Sequence, residues 1–176
     1  PRAGRTGLRA GALVVTRVKA VAASTVEPIP SLLLLVDTSA SRALGFAAQL
    51  ILVQRLVEQL ARSNPALPLT VAAFDQSLQV LHEGPAKSFG AAALKLLKDR
   101  RPLGASDVSA ALGWALERGK KSPAARVVLI TDGVFTAGEL EGDRLQAAVA
   151  RLKDAGVQRL DAVAVGGIRD EGALRR

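Results

Sequence analysis

Two short apolar segments of the chain run directly into loops that carry aspartate and hydroxyl side chains. Residues 31–36 (SLLLLV) precede the sequence DTSAS, which begins at Asp37, and residues 126–131 (RVVLIT) precede a DG pair, which begins at Asp132. Short, unbroken apolar runs are typical of parallel strands that are buried on both faces. Both segments are therefore predicted to be buried strands, each with a polar loop at its carboxyl end.

The remaining segments alternate between helical and strand patterns. Apolar side chains at helical spacing and helix-end signals predict four helices, over residues 43–62, 88–98, 107–118 and 141–155. Strand signals predict three further strands, over residues 69–74, 78–82 and 159–165. A turn at Asp75-Gln76 joins the first two of these strands, and a further helix is expected to begin near Arg169. The order predicts an α/β fold, a doubly wound, mostly parallel open sheet with helices on both faces and one antiparallel hairpin strand.

The first 30 residues differ from the rest of the chain in charge. They hold five of the 24 basic residues, and no acidic residue occurs before Glu27. Residues 1–10 are predicted to be flexible and residues 12–22 to form an edge strand, followed by a proline-bearing linker. We therefore divide the 176 residues into a basic N-terminal segment, 1–30, and one α/β domain, 31–176.

The composition excludes several kinds of site. The chain has no cysteine and a single histidine, His82, so it offers no disulfide, thiolate nucleophile, zinc–thiolate centre or multi-histidine metal site. Tyrosine is absent and Phe and Trp together number five, so a stacking platform for nucleic-acid bases is not expected. The longest apolar run, residues 32–36, is far shorter than a membrane span.

Three polar clusters are expected at one edge of the sheet, beyond the carboxyl ends of its strands, where such folds place their functional crevice. They are the DTSAS sequence at Asp37, the loop Gly104-Ala105-Ser106-Asp107 and the sequence Thr131-Asp132-Gly133. Each cluster alone is also explained by helix capping or a turn. Together they offer only carboxylate and hydroxyl oxygens, the donors that suit Mg²⁺ or Mn²⁺.

The order of these residues is a more specific signal. Asp37, Ser39 and Ser41 fit the pattern D-x-S-x-S, Ser106 lies in a later GASDV loop, and Asp132 lies in the sequence ITDG after a later strand. With these motifs, residues 31–165 resemble a von Willebrand factor type A domain that carries a metal-ion-dependent adhesion site.

The resemblance implies a set of metal ligands and a mode of binding. The hydroxyls of Ser39, Ser41 and Ser106 would approach a cation directly, and the carboxylates of Asp37 and Asp132 would act directly or through water. A Glu or Asp carboxylate of a partner protein would complete the coordination shell. A cation held by neutral hydroxyls and at most two carboxylates keeps excess positive charge, so it attracts an anionic ligand.

Three residues depart from the usual pattern of this family. Ser106 stands at the position of a threonine and lacks the β-branch that stiffens the side chain, and Ala40 stands where glycine is common. Arg42 stands where methionine is common. Pointing inward, its guanidinium would repel the cation; at the rim it would grip an anionic partner; otherwise it lies in solvent. We take Arg42 and Asp107 as the candidate partner-binding rim.

The two ends of the domain also differ from the family. The family ordinarily adds a helix and a strand after the position of Val165, and we expect this chain to lack them. Two explanations are open: these elements were cut away, or a strand over residues 12–22 covers the exposed sheet edge. A strand and a proline linker ahead of D-x-S-x-S also resemble bacterial proteins in which an inter-alpha-trypsin-inhibitor-like domain precedes the A domain.

The leading functional hypothesis is a protein-binding module that recognises an acidic residue of its partner through a divalent cation. The first alternative is a degenerate A domain that acts as a metal-independent interaction surface. The second is a haloacid-dehalogenase-like phosphatase, which needs a second aspartate at the position of Ser39 and an acidic pair where Asp132 is followed by Gly133. A dinucleotide-binding domain is disfavoured because no G-x-G-x-x-G sequence follows a strand.

Overall fold

The computed structural model describes residues 7–11, 13–16, 28–122, 124–139, 141–167 and 169–175. Its strands are β1 (Gly7–Ala10), β2 (Leu13–Thr16), β3 (Leu32–Asp37), β4 (Pro68–Phe74), β5 (Leu78–Pro85), β6 (Arg126–Thr131) and β7 (Arg159–Ala164). Its helices are α1 (Phe46–Ser63), α2 (Ala91–Arg100), α3 (Val108–Lys121), α4 (Gly142–Asp154) and α5 (Glu171–Leu174), and short 3₁₀ turns lie at Ala40–Gly45 and Ala86–Ser88. The elements predicted over residues 31–165 are present, with their ends shifted by a few residues.

Five of the strands form one sheet in the spatial order β5-β4-β3-β6-β7. β3 runs parallel to both of its neighbours, and β7 runs parallel to β6. Only β5 is antiparallel, in the hairpin that it forms with β4. This topology confirms the predicted fold class and the predicted adjacency of the two apolar strands.

Helices cover both faces of this sheet. Leu33 and Leu35 of β3 share one core cluster with residues of α3 and α4, whereas Leu34 and Val36 share a second cluster with residues of α1 and α2. Successive side chains of a strand point to opposite faces, so a central strand between two helical layers is buried along its whole length. The apolar run at residues 32–36 is the sequence signature of that position.

The register of the central strands brings two polar residues to the same edge of the sheet. Asp37 pairs with Phe74 of β4, and Val36 pairs with Ile130 of β6. Asp37 and Thr131 are therefore the last residues of neighbouring parallel strands. The loops that follow them begin side by side, which places the predicted site at the carboxyl edge of the sheet.

The N-terminal segment differs from its predicted structure. The strand at Leu13–Thr16 pairs with Gly7–Ala10 in a separate two-stranded antiparallel sheet instead of extending the main sheet. Residues 7–10, predicted to be flexible, thus form a strand. The hairpin turn contains Gly11 at φ +58°, a conformation that glycine adopts readily. Ala12 and residues 17–22 of the predicted strand lie outside the described residues.

Beyond β7, the described part of the chain contains one short helix, α5, whose Leu174 packs against the cluster shared by α3 and α4. None of the helices in the described ranges is both long enough and apolar enough to cross a membrane.

We expect Leu34→Ala to lower the free energy of unfolding by about 2–5 kcal/mol, because it removes a fully buried side chain and leaves a cavity in the core. The control is Leu44→Ala, whose side chain is 95% exposed and whose effect should stay within about 0.5 kcal/mol. Urea denaturation of the two variants checks this. Similar decreases in the free energy of unfolding for Leu34→Ala and Leu44→Ala would contradict the central position of β3.

Candidate functional site

The carboxylate of Asp37 is the meeting point of three segments of the chain. The residue is fully buried, and its Oδ1 accepts a hydrogen bond from the backbone N–H of Ser39 at 2.9 Å. Its Oδ2 accepts hydrogen bonds from the hydroxyls of Ser106, at 2.9 Å, and Thr131, at 2.6 Å. Asp37 therefore fastens its own loop to the loop before α3 and to the end of β6.

Two serine hydroxyls lie together in the loop after β3. The Oγ atoms of Ser39 and Ser41 are 3.1 Å apart. Ser39 is buried, whereas Ser41 is exposed at the start of the 3₁₀ turn. This hydroxyl pair therefore extends from the interior of the site to the molecular surface, where a binding partner has access to it.

The loop that carries Ser106 is fixed by backbone contacts to its neighbours. The N–H of Ala40 donates to the carbonyl of Gly104 at 2.9 Å, and the N–H of Leu103 donates to the carbonyl of Thr38 at 3.1 Å. The N–H of Ser106 donates to the hydroxyl of Thr136 at 3.0 Å. Ser106 is fully buried, so its hydroxyl is held by the surrounding loops even without the β-branch of a threonine.

Arg42 lies in the interior, not at the rim where the sequence analysis placed it. Its side chain is 2% exposed, and its Nη1 forms a salt bridge of 3.0 Å with Oδ2 of Asp132, which is equally buried. Nη1 also donates to the carbonyl of Val165 at 2.8 Å. The guanidinium turns inward because a buried carboxylate requires a charged or hydrogen-bonding partner.

Gln49 is a residue of the site that the sequence analysis missed. It lies on the inner face of α1, where its Oε1 accepts from Nε of Arg42 and its Nε2 donates to the carbonyl of Asp37, both at 2.6 Å. A chain of contacts thus links Asp37 to Asp132 through Gln49 and Arg42. The signal in the sequence was a polar residue at helical spacing between Phe46 and Val53 on an apolar face.

Asp107, the second candidate for the rim, is the N-cap of α3. Its Oδ1 accepts hydrogen bonds from the N–H of Ala110 at 2.9 Å and from the hydroxyl of Ser109 at 2.7 Å. An aspartate in this position satisfies a free N–H group of the first helical turn and complements the helix dipole. Its contacts are accordingly those of a helix cap.

Another acidic residue, Asp75, lies next to the site in the turn between β4 and β5. Its Oδ2 accepts from the hydroxyl of Thr38 at 3.2 Å and forms an ion pair with Arg100. Burial alone raises the pKa of Asp75, but the hydrogen bonds from Ser77 and the charge of Arg100 outweigh it and hold this pKa below its ordinary value. The charged carboxylate thus ties the hairpin turn to the residue that follows Asp37.

The donor chemistry of the site can be compared with the needs of a divalent cation. The described residues contain no cluster of three or more His, Cys, Asp or Glu side chains suited to a metal. The buried carboxylate of Asp37 and the neighbouring hydroxyls of Ser39, Ser41 and Ser106 are hard oxygen donors and fit such an ion. Asp132 fits less well, because the salt bridge to Arg42 already neutralises its charge.

The fold and the D-x-S-x-S loop together define an A-type domain, and comparison with known families agrees. The model of the von Willebrand factor type A domain family matches residues 32–134, more than half of the chain. The chain therefore belongs to the von Willebrand factor type A family, whose members typically mediate protein–protein interactions. No curated protein matches the chain.

Several solved structures share the fold. The manganese-loaded TRAP protein of Plasmodium vivax has a TM-score of 0.62 at 23% identity, over 82% of this chain and 60% of that protein. Proximal thread matrix protein 1 of the mussel byssus has a TM-score of 0.62 at 20% identity, over 82% of this chain and 39% of that one. A von Willebrand factor type A protein of Catenulispora acidiphila has a TM-score of 0.61 at 18% identity, over 84% and 35%. The chain thus spans 60% or less of each of these proteins, and the likeness at these identities is one of fold.

We expect Asp75→Asn to destabilise the domain at neutral pH and to flatten its loss of stability in acid. The pKa of Asp75 is lower in the folded than in the unfolded state, so the contribution of this residue to stability is fully present above the unfolded pKa, about 4. It is lost as the pH falls through the folded pKa.

Urea denaturation between pH 7 and pH 3 measures this contribution. The difference in the free energy of unfolding between the wild type and Asp75→Asn should be largest at pH 7 and should decrease towards pH 3. Asp99→Asn, which removes an exposed ion pair on α2, serves as the control. A constant gap across this range would contradict the role given to Asp75.

Proposed function

We propose that this domain binds a partner protein through the face formed by the loops after β3 and β6 and before α3. The observation that carries the proposal is the convergence on Asp37, where hydroxyls from two distant segments meet one buried carboxylate. Membership of a family that typically mediates protein–protein interactions supports it. The exposed position of Ser41 beside the buried Ser39 supports the same face as the point of contact.

We further propose that a divalent cation, Mg²⁺ or Mn²⁺, takes part in this contact. Asp37, Ser39, Ser41 and Ser106 would hold the ion, and Asp132 would contribute to it directly or through water. When bound, the ion supplies a positive charge that attracts an anionic ligand. One structural relative, the TRAP protein of Plasmodium vivax, is manganese-loaded in its crystal structure, which supports testing this metal first.

The partner class that suits such a face is a protein that presents a Glu or Asp side chain. The residues of this chain contribute orientation: the three loops are cross-linked by the hydrogen bonds of Asp37, so the hydroxyls are already positioned before a partner arrives. Such preorganisation lowers the entropic cost of binding. Nucleic acid is not the proposed partner, since the chain offers few aromatic side chains for stacking.

A second candidate, a metal-independent interaction domain, is favoured by one observation. The salt bridge between Arg42 and Asp132 already neutralises one of the two buried carboxylates of the site. A surface organised in this way does not need a cation to hold its loops together. The two candidates share the binding face and differ in their response to metal.

We expect Mg²⁺ or Mn²⁺ at millimolar concentration to raise the thermal midpoint of the domain, because a ligand that binds only the folded state stabilises it. Asp37→Ala should abolish that rise. Asp99→Ala, which removes a carboxylate on the exposed side of α2, should leave the rise intact. Differential scanning fluorimetry in metal and in EDTA measures the shift, and circular dichroism checks the fold of each variant. No rise in the wild-type protein would favour the metal-independent candidate.

We expect selection from a random peptide library to enrich peptides with a Glu or Asp residue when Mg²⁺ is present. The same selection in EDTA should lose this enrichment, because the cation supplies the charge that the carboxylate meets. Enrichment that persists in EDTA would support the metal-independent candidate. Hydrolysis of p-nitrophenyl phosphate by the wild type and not by Asp37→Ala would instead indicate a phosphatase.

A further inference from the structure

The environment of Arg42 is built around its guanidinium. Nε donates to Gln49, and Nη1 donates to both Asp132 and the carbonyl of Val165, at distances between 2.6 and 3.0 Å. Nη2 is buried and has no hydrogen-bond partner among the described residues. A buried arginine with these three hydrogen bonds is an integral part of the site.

Two glycines beside the guanidinium provide the space that it occupies. A Cβ atom at Gly166 would lie 2.6 Å from Nη1, and one at Gly45 would lie 3.0 Å from Nη2. Gly166 also adopts φ +105°, a conformation that side chains other than glycine rarely adopt. The interior position of Arg42 therefore depends on the absence of side chains on both sides of it.

Charge is the property that Arg42 changes. The site holds two buried carboxylates, Asp37 and Asp132, and the guanidinium of Arg42 is the cationic group in direct contact with one of them. Their formal charges add to one negative charge, where the two carboxylates alone would carry two. A divalent cation bound beside Asp37 would meet a weaker attraction for this reason, since charges at close range in a partly buried site interact strongly.

We propose that Arg42 is an internal counter-ion that sets the metal dependence of this site. It holds Asp132 and the loop after β6 in place and lowers the affinity of the site for divalent cations. This inference rests on the proposed function, since it concerns the same cation. It also accounts for both candidates, because the charge of a single residue decides between a metal-dependent and a metal-independent surface.

Four proteins test the proposal by charge. The summed formal charge at positions 37, 42 and 132 is one negative in the wild type and two negative in Arg42→Met. It is one negative in the double variant Arg42→Met with Asp132→Asn, and zero in Asp132→Asn alone. We expect Mg²⁺ affinity, measured by isothermal titration calorimetry, to rise about tenfold in Arg42→Met. It should fall in Asp132→Asn, and the double variant should bind Mg²⁺ more tightly than Asp132→Asn, because these two variants differ only in the charge at position 42. The control Arg55→Met removes an exposed arginine of α1 and should change nothing.

A second readout separates charge from packing. In EDTA, Arg42→Met should have a lower thermal midpoint than the wild type, because Asp132 loses its charged partner. Addition of Mg²⁺ should then raise the thermal midpoint of Arg42→Met by more than it raises that of the wild type. Arg42→Lys keeps the charge but not the forked geometry, so its midpoint should fall without any gain in Mg²⁺ affinity. If Arg42 had only a structural role, Arg42→Met and Arg42→Lys would both have lower thermal midpoints, and neither variant would change the affinity for Mg²⁺.

Equal Mg²⁺ affinity in the wild type and in Arg42→Met would overturn the counter-ion proposal and leave the proposed function standing. A wild type that does not respond, beside an Arg42→Met variant that does, would support the counter-ion and favour the metal-independent function. If Arg42→Met does not fold, the double variant and Asp132→Asn keep the test open, because both lack the carboxylate of Asp132 and they differ only at position 42. Equal Mg²⁺ affinity in these two variants would overturn the proposal. Failure of every variant to bind Mg²⁺ would overturn both the proposed cation and this inference.

Discussion

The hydrogen bonds accepted by the carboxylate of Asp37 hold together the loops of the candidate binding face. Ser39, Ser106 and Thr131 belong to three segments that are distant in the chain, and each donates to this one buried group. A buried carboxylate is unfavourable without such donors, so the three segments stabilise the charge while the charge fixes the segments. The central position of β3 makes this possible, because it places Asp37 between β4 and β6 at the carboxyl edge of the sheet.

Arg42 adds a second charged interaction to the same site, the buried salt bridge to Asp132. It joins Asp132 to Gln49, and Gln49 in turn contacts the carbonyl of Asp37. The two carboxylates therefore differ in their surroundings. Hydroxyl and amide donors surround Asp37, whereas Asp132 is paired with a guanidinium. In our proposal, a bound cation and the guanidinium compete for the same negative charge, and the balance between them determines how far binding at this face depends on metal.

Much of this arrangement could be predicted from the sequence because it depends on local patterns. The apolar runs before Asp37 and Asp132 indicated both central strands, and the order of D-x-S-x-S, GASDV and ITDG indicated the edge at which their loops meet. The orientation of Arg42 could not be predicted, since it depends on Gln49 and Gly166, which only the tertiary fold brings to it and which belong to no motif. The hairpin of β1 and β2 was missed because alternating residues 12–22 indicate a strand but do not identify the strand that pairs with it.

The central claim is that a divalent cation binds beside Asp37, between the loops that this residue joins. Paramagnetic broadening by Mn²⁺ in the amide NMR spectrum of the domain tests it most directly, because the effect falls steeply with distance from the ion. We expect substoichiometric Mn²⁺ to broaden selectively the amide signals of Ser39, Ser41 and Ser106, and we expect Asp37→Ala to remove this broadening. Broadening centred elsewhere on the domain, or unchanged in Asp37→Ala, would contradict it.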